Sequence, residues 1–480
     1  MENNNSQQIS IMDMFKIGVG PSSSHTMGPW KAALKFLAEL EKLGLYTDVE
    51  KVKIHLYGSL ALTGKGHGTD KALMLGLSGF DPIDIPMEEV QNSVQAIEES
   101  HYLSLDQKKK ISFDPNECIE FIYQKSLDFH PNGMEIEALN KKGSSLLKRT
   151  YFSVGGGFVI TENEEEIIPK VPFPYQIETA KDLKKYYNQT NLNIASIVYA
   201  NELVLRSKEE LDRDILRLWE VMSETVFRGC HTSGTLPGIL KVSRRASDLH
   251  KRLIGEGLYQ SKEEWLHHLQ GLNPSFDKII KLVSCFAIAT NEENANFGRV
   301  VTAPTNGAAG VIPAVLLYFI CFNDRVKVGE REIINFLCVA SEIGSLFKKK
   351  ATISAAMGGC QAEIGVSSAM AAAALTSGFG GTFDQVLMAA EIAMEHHLGL
   401  TCDPVKGLVQ IPCIERNSMG AIKAITASEI ALESNPDLAK VSLDDVIKTM
   451  WDTACDMDVR YKETSQAGLA ANISVSIPEC

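Results

Sequence analysis

The sequence predicts an α+β domain followed by an all-α domain. Apolar and polar residues alternate around positions 52–56, which is typical of a strand with one buried face. From about residue 177 onward, the apolar spacing changes to the helical period. Acidic and proline residues lie between the two patterns, as in a linker. We therefore predict a first domain with an antiparallel sheet and helices at residues 1–162, a linker at 163–190, and a helical domain at 191–480.

Composition limits the partners that the chain can have. A net charge of -13 argues against a nucleic-acid partner and against an anionic membrane surface. The longest apolar run, Ala308 to Phe322, contains Pro313 and is too short to span a bilayer. The first residues are polar and carry no export signal, so we expect a cytoplasmic protein whose ten cysteines are reduced.

A loop rich in hydroxyl groups precedes the first predicted helix. Between two Gly-Pro pairs stand Ser22, Ser23, Ser24, His25 and Thr26. One serine would be enough to cap the helix expected from about Trp30 to Leu43. The run of donors at a helix start is better explained as a site for an anionic group such as a carboxylate.

A strand predicted from Lys51 to Tyr57 leads into a glycine-rich loop. The glycine spacing does not match a phosphate-binding loop, and no dinucleotide fingerprint is complete. His67 lies between two glycines, and Thr69 follows closely. An exposed loop histidine is one interpretation. Glycine on both sides also allows a close backbone approach that could aim the imidazole into a cleft.

The remaining strands of the first domain are predicted at Cys118–Phe129, Gly133–Leu139 and Leu146–Val154. The turn between the first two carries His130 and Asn132. Ser153 precedes three consecutive glycines. These positions add a third histidine and two polar side chains to the candidate site.

In the second domain, helices are predicted at Ser196–Val204, Lys208–Phe227 and Trp265–Leu269. A loop holding Cys230 and His231 is expected after the second of these helices. A polar loop containing Asn306 opens an apolar helix. Apolar helical runs surround three further cysteines, which we expect in the core: Cys285, Cys321 and Cys338.

Three other cysteines stand where the chain is expected to turn. Cys360 follows two glycines, Cys402 precedes Asp-Pro, and Cys413 follows a proline. A structural cysteine usually lies within a helix or strand, whereas a ligand cysteine more often lies where backbone N–H groups can face its sulfur. The pattern therefore suggests a three-cysteine metal or cluster site, although the thiols do not form a tight C-x-x-C group.

Together, the motifs resemble the iron–sulfur-dependent L-serine dehydratases of the single-chain bacterial type. The resemblance rests on residues 20–26, 57–70, 130–134, 303–310, 359–361 and 402–417, in that order. It implies a [4Fe–4S] cluster bound through Cys360, Cys402 and Cys413. It also implies a first domain akin to allosteric amino-acid-binding domains, packed on a helical catalytic domain, and a homodimer that acts on the small molecule L-serine.

Such an enzyme removes the Cα proton and the β-hydroxyl of serine, giving pyruvate and ammonia. A cluster with three cysteine ligands leaves one iron available as a Lewis acid. We favour His67 as the base, with His25 and His130 as alternatives or orienting groups. The expected substrate-binding residues are Ser22, Ser23, Ser24, Thr26, Thr69, Asn132, Ser153 and Asn306.

The last residue, Cys480, suggests a further ligand. Its free carboxylate and its sulfur, placed where serine has a hydroxyl, make it a tethered mimic of the substrate. Our hypothesis is that Cys480 binds the fourth iron until serine displaces it. A disordered tail is the alternative interpretation.

Two other functions compete with this one. A pyridoxal-phosphate serine/threonine dehydratase would use residues 153–158 as a phosphate loop, but no lysine has a Ser-x-Lys-x-Arg-Gly-like setting. A non-catalytic iron–sulfur sensor of amino acids would use the first domain to bind its ligand. An anaerobic assay for pyruvate separates the sensor from the enzyme.

Overall fold

The computed structural model describes residues 7–161, 171–255 and 257–473. The strands are β1 Ile17–Val19, β2 Lys51–Tyr57, β3 Tyr102–Leu105, β4 Lys109–Ser112, β5 Ile119–Ile122, β6 Gly133–Leu139, β7 Ser145–Ser153, β8 Val159–Thr161 and β9 Arg299–Val301. The helices before β9 are α1 Ile11–Met14, α2 Gly28–Lys42, α3 Gly58–Thr63, α4 Thr69–Leu77, α5 Met87–Ser100, α6 Pro115–Cys118, α7 Ala180–Thr190, α8 Ile194–Glu202, α9 Lys208–His231, α10 Ala246–Ile254, α11 Lys262–Gln270 and α12 Phe276–Ala295. Those after it are α13 Val311–Cys321, α14 Glu330–Lys350, α15 Ala355–Gly358, α16 Ile364–Gly378, α17 Phe383–Glu395, α18 Cys413–Glu433, α19 Leu443–Asp456 and α20 Gly468–Asn472.

The N-terminal part is an α/β region built on a five-stranded sheet. The strand order is β5-β2-β6-β7-β8, and every neighbouring pair is antiparallel except β2 with β5. The prediction of an antiparallel sheet is therefore wrong for that pair. Alternating residues of β2 are buried, and Ile54 and Leu56 lie in one apolar cluster with Trp30 and Phe36 of α2. Helix α2 thus covers one face of the sheet, as the alternation requires.

Several predicted boundaries differ from the structure. The strand predicted at Cys118–Phe129 is only Ile119–Ile122, because Asp114 caps a helical turn at Pro115–Cys118 just before it. The second predicted helix continues through Cys230 to His231, so the expected loop at these residues is wrong. Helix α7, capped by Thr179 and Asp182, occupies part of the predicted linker and packs against α17 and α19.

The C-terminal part is mostly helical and is packed around α16. This helix contacts α13, α14, α17 and α18, and all its residues from Ile364 to Thr376 are buried. Most of these residues are Ala, Gly or Ser, whose small side chains let neighbouring helices approach closely. Among the described residues, no helix has both the length and the apolar character needed to cross a membrane.

The two parts of the chain are interleaved near the N-terminus. Strand β1 pairs antiparallel with β9, a short strand inside the helical part, so an all-α second domain is wrong in this detail. Ile11, Phe15 and Ile17 belong to the apolar cluster of the helical part. The chain therefore begins its described course in the helical core, builds the sheet, and then returns to the helices.

Candidate active site

A small inner cavity lies where the two parts meet. It is lined by Pro21, Ser22, His67, Gly307, Glu363, Cys402, Pro404, Val409, Cys413 and Glu463. The first three of these residues come from the N-terminal part and the others from the helical part. The cavity thus joins the hydroxyl-rich loop, one predicted catalytic histidine and two of the predicted ligand cysteines.

Two of the three predicted ligand cysteines, Cys402 and Cys413, line this cavity, and Cys360 is hydrogen-bonded to Cys402. Cys360 lies in the helical turn between α15 and α16, Cys402 forms a bridge with the backbone of Lys462, and Cys413 is the first residue of α18. All three are buried, and each carries a free thiol. The fourth predicted ligand, Cys480, lies outside the described residues.

Arg416 supplies positive charge to the cysteine group. Its guanidinium donates to Cys360 Sγ at 3.3 Å, to the Thr401 carbonyl at 2.6 Å and to Asp403 Oδ1 at 2.9 Å. A hydrogen bond from Cys402, together with Arg416, lowers the pKa of the Cys360 thiol to about 7, despite burial. The Cys360 thiolate and burial hold the pKa values of Cys402 and Cys413 well above the ordinary range.

This donor set fits an iron–sulfur group. Cys402 and Cys413 line the cavity, Cys360 is hydrogen-bonded to Cys402 beside it, and Arg416 offsets the negative charge that bound thiolates would carry. His25, His67 and Glu463 form a second group whose ligand atoms lie within 4.8 Å of one another. The side chains of these three residues lie close to one another, and serine side chains form hydrogen bonds with the group, as is typical of an acid–base site.

His25 and His67 are stacked, with ring centroids 4.5 Å apart. The Nδ1 atom of His67 lies 2.8 Å from the Thr63 carbonyl, which can only accept, so Nδ1 donates and Nε2 is left free to accept a proton. Burial lowers the pKa of His67 to about 4, and the ring is therefore neutral at pH 7. Neutral Nε2 on the cavity wall is the state that a general base needs.

His25 has both ring nitrogens occupied. The Ser59 hydroxyl donates to the Glu463 carbonyl at 3.1 Å, so it accepts from His25 Nε2, also at 3.1 Å. His25 Nδ1 then accepts from the Ser24 hydroxyl at 2.9 Å. Burial and the neighbouring His67 lower the pKa of His25 well below its ordinary value. These contacts fix the His25 ring in one orientation.

Glu463 is a site residue that no sequence motif indicates. Its Oε1 lies 3.5 Å from His25 Nδ1 and 3.8 Å from His67 Nε2, and its Oε2 has no hydrogen-bond partner among the described residues. Burial, together with the charges of Glu363 and Cys360, raises the pKa of Glu463 well above its usual range. Burial and the charge of Cys360 likewise raise the pKa of Glu363 to about 8.

The hydroxyl-rich loop forms a buried turn of π-helix that leads into α2. Ser22 accepts from the His25 N–H at 3.1 Å, as a helix cap does, and the Ser23 carbonyl accepts from Gly28. The Thr26 hydroxyl donates to the His67 carbonyl at 2.8 Å, and Thr69 donates to the His25 carbonyl at 2.6 Å. Much of this loop therefore positions the two histidines, and Ser22 also lines the cavity.

The other predicted site residues, His130, Asn132, Ser153 and Asn306, do not line the inner cavity. The Asn132 N–H donates to His130 Nδ1 at 3.1 Å, and Asn132 Nδ2 donates to the Ser153 carbonyl at 3.2 Å. Burial lowers the pKa of His130 to about 4. Asn306 Nδ2 donates to Asn294 Oδ1 at 3.1 Å. Buried atoms without a hydrogen-bond partner in the described part of the chain include Asn132 Oδ1, Ser153 Oγ and Asn306 Oδ1.

Comparison with known proteins identifies the family. Residues 10–164 match the model of the serine dehydratase beta chain, and residues 189–470 match that of the alpha chain. The chain is 45% identical to an L-serine dehydratase of Streptomyces coelicolor, and 44% identical to L-serine dehydratase 2 of Escherichia coli. An L-serine dehydratase of Helicobacter pylori is 43% identical. Each alignment covers 97% of this chain and 99% of the relative.

The beta-chain match covers the N-terminal α/β part, and the alpha-chain match covers the helical part. Because the matches cover almost the whole sequence, the chain belongs to the serine dehydratase family, with the beta-chain and alpha-chain parts joined in one polypeptide.

Proposed function

We propose that the chain is an L-serine dehydratase, a lyase that eliminates water from L-serine and yields pyruvate and ammonia. The observation that carries the proposal is the inner cavity, where Cys402 and Cys413, with Cys360 hydrogen-bonded to Cys402, adjoin His67 and Glu463. Relatives named L-serine dehydratase match nearly the full length at 43–45% identity, which does not favour a pyridoxal-phosphate enzyme.

Cys360, Cys402 and Cys413 would hold a [4Fe–4S] cluster. When bound with three protein ligands, such a cluster supplies an iron that acts as a Lewis acid on the substrate hydroxyl. Arg416 would stabilise the thiolate of Cys360 and fix its direction through Asp403. We propose Cys480 as the fourth ligand at rest, and removal of this residue tests it. Unchanged activation kinetics and an unchanged spectrum of the resting cluster would rule this role out.

His67 is the favoured base for the Cα proton. His67 lines the cavity, its Nδ1 donates to the Thr63 carbonyl, and its Nε2 lies 3.8 Å from Glu463 Oε1. His25 is less suited because both its nitrogens are hydrogen-bonded. His130 accepts at Nδ1 and so would present an N–H to its surroundings.

The buried polar atoms without partners would bind the zwitterionic ends of serine. The Ser153 hydroxyl can donate to a carboxylate, and the amide oxygens of Asn132 and Asn306 can accept from an ammonium group. Ser22 lies on the cavity wall. Ser23, Ser24, Thr26 and Thr69 would act mainly by holding His25 and His67 in place. Loss of the Cα proton to His67 and of the β-hydroxyl as water leaves aminoacrylate, which becomes pyruvate and ammonia by hydrolysis.

Two wider features of the proposal come from the family resemblance. We propose that the N-terminal region has a fold akin to allosteric amino-acid-binding domains, and that the assembly is a homodimer. The cytoplasmic location and the domain limits 1–162 and 191–480, with a linker between them, are predictions from the sequence pattern.

Anaerobic assay for pyruvate from L-serine, combined with iron and sulfide analysis, tests the function. We expect turnover that tracks cluster content and is lost on exposure to air. A fully loaded cluster without turnover would favour the amino-acid sensor. Turnover without iron, together with an internal-aldimine absorption band, would favour the pyridoxal-phosphate enzyme.

A further inference from the structure

Two imidazoles and one carboxyl group converge at the edge of the inner cavity. Glu463 Oε1 lies 3.5 Å from His25 Nδ1 and 3.8 Å from His67 Nε2, and the three side chains are at most 5% exposed. In a tetrahedral zinc site with bonds of about 2.0–2.1 Å, neighbouring ligand atoms are roughly 3.3 Å apart. Both measured separations are therefore within about half an ångström of those around a bound zinc ion.

The outer hydrogen bonds of the two imidazoles match those of metal-binding histidines. His67 Nδ1 donates to the Thr63 carbonyl at 2.8 Å, and His25 Nε2 donates to the Ser59 hydroxyl at 3.1 Å. A histidine that binds a metal usually donates its second ring N–H to such an acceptor, which fixes the tautomer and the ring direction. Both rings are thus held with an unprotonated nitrogen toward Glu463.

Ser24 occupies one of these nitrogens and has a second partner nearby. Its hydroxyl donates to His25 Nδ1 at 2.9 Å and lies 3.2 Å from the Ser22 hydroxyl. If Ser24 turns toward Ser22, it releases His25 Nδ1 and keeps a hydrogen bond. The lone pair of His25 Nδ1 is then available to a cation.

Glu463 brings an unpaired oxygen to the same group. Its Oε2 is buried and has no hydrogen-bond partner among the residues that the structure describes. Within the same residues, its ion-pair partners are the two histidines alone. A buried carboxyl oxygen without a donor is costly. A cation bound through one or both oxygens would remove this cost.

The inner cavity gives such a cation room for one further ligand. Its volume is ≈ 10 Å³, which is about the space that a single water molecule needs. Two histidines and a carboxylate are a common ligand set for zinc, in which the fourth position is taken by water. His67 and Glu463 line the cavity, so a water molecule in it can reach an ion held between them.

We propose that His25, His67 and Glu463 form an inhibitory site for a divalent cation of the zinc type, distinct from the cysteine group. The cation binds Nε2 of His67, and its water fills the cavity that L-serine has to enter. The cation site rests on the geometry of the three side chains. Its inhibitory effect rests on the proposed function, in which His67 is the base.

Zinc binding is tested on cluster-loaded, full-length protein without oxygen. One equivalent of Zn²⁺ is added, and X-ray absorption at the zinc edge is recorded together with the iron content. We expect nitrogen and oxygen ligands at about 2.0–2.1 Å and no loss of iron. Sulfur ligands at about 2.3 Å, or release of iron, would mean that zinc replaces the cluster, and this result would overturn the site.

Variants assign the zinc ligands, with affinity measured by calorimetry. Glu463→Gln keeps the side-chain shape and removes the charged oxygen, so zinc affinity should fall at least roughly 100-fold, beyond the range for an outer hydrogen-bond partner. Ser59→Ala removes the acceptor of His25 Nε2, and a decrease of roughly 10-fold is expected. Retention of the cluster reports that each variant is folded. Wild-type zinc affinity of Glu463→Gln would overturn the proposal.

Glu120→Gln is the matched control. Glu120 Oε2 lies 3.4 Å from His55 Nε2, a separation close to that in the buried group, but the Glu120 side chain is 67% exposed. We expect wild-type zinc affinity for this variant. A decrease equal to that of Glu463→Gln would assign the zinc to surface histidines and overturn the buried site.

Kinetics tests the inhibition. Zinc at a concentration equal to its Kd should raise the KM for L-serine about twofold and leave kcat unchanged, because the ion and the substrate exclude each other. A chelator should restore the KM. An unchanged KM when the nitrogen and oxygen site is filled would overturn the inhibitory role. Failure of zinc-free protein to turn over L-serine would reject the proposed function, while the absorption spectra would still decide the cation site.

Discussion

The inner cavity and the helical core both contain buried cysteines, but in different surroundings. In the core, Cys321 and Cys338 belong to helices and touch apolar side chains. Burial raises the pKa of the Cys321 thiol to about 12 and raises that of Cys338 as well. At the cavity, Cys360 lies in a turn and accepts a hydrogen bond from Arg416, and its pKa falls to about 7.

Burial alone therefore does not separate a functional thiol from a structural one. What differs is the backbone position and the presence of a charged partner. The histidines show the same contrast. His250 is buried in the helical part, where its Nε2 accepts from Trp265 at 3.1 Å, whereas His67 lines the inner cavity. Four experiments test this contrast between the cavity and the helical core.

The largest effect is expected from the cysteines. Cys402→Ala should abolish cluster binding and reduce pyruvate formation by roughly three orders of magnitude or more, because Lewis-acid assistance supplies several kcal/mol. Cys338→Ala should retain the cluster and activity and lose about 1–2 kcal/mol of folding stability through a small cavity. Iron analysis, the pyruvate assay and unfolding curves measure both. Equal loss of iron in the two variants would break the contrast.

The second largest effect is expected from the histidines. His67→Asn is expected to lower kcat by roughly 10²–10⁴-fold, the range for loss of a general base, without loss of iron. His250→Asn should leave kcat intact and cost about 1–3 kcal/mol of stability, since the Trp265 N–H loses its acceptor. The two readouts are kcat at saturating L-serine and the urea midpoint. If His67→Asn retained full kcat, His67 would not be the base.

Arginine charge is expected to matter less than the ligands themselves. Arg416→Met keeps all three cysteines but removes the donor to Cys360 and the partner of Asp403, so cluster retention should fall about 10–100-fold. Arg325→Met is the control. Arg325 forms a more exposed ion pair with Glu429, which lies in α18, the helix that also carries Arg416. Chelator challenge followed by iron release compares them. Similar iron release from the Arg416→Met and Arg325→Met variants would contradict a specific role of Arg416 in retaining the cluster.

The smallest effect concerns pH, and here the two histidine regions should behave alike. Burial lowers the pKa values of His67 and His250 to about 4, below the ordinary 6.5. Below pH 6.5 the unfolded chain binds protons first, so stability is full above this pH and declines as the pH falls toward 4. Each fully buried histidine contributes on the order of 1 kcal/mol to this decline by pH 5.5. Unfolding at a series of pH values should show a shallower slope for either Asn variant.

Sequence reasoning distinguished the two cysteine groups as the structure does, because a turn or a helical run is encoded locally. Strand β2 was also predicted with its observed limits, since its alternation is strict. The direction of pairing with β5 is not encoded in that way. A parallel pair depends on the path of α3 to α5 between the strands, and alternation is the same for either direction.

The residues that sequence reasoning missed act through the tertiary path of the chain. Glu463 reaches His25 and His67 from near the end of the described chain, on backbone with φ of 59°, and it stands in no recognisable motif. Arg416 does lie within a motif that carried the family resemblance, and Glu363 follows another closely, but their spacing did not reveal their partners. Burial of a carboxyl beside two imidazoles becomes visible only after folding.

The interleaving of the two parts has a consequence for how the site is assembled. Pairing of β1 with β9 and the contact of Ser59 with the Glu463 carbonyl fix the relative position of the parts, without help from the covalent connection between β8 and α7. That connection acts as a tether, which raises the effective concentration of one part near the other. Two separate polypeptides divided at that connection would build the same site at sufficient concentration. The covalent connection therefore affects the fraction of molecules in which the site is assembled, and the interface between the two parts determines the geometry of the site.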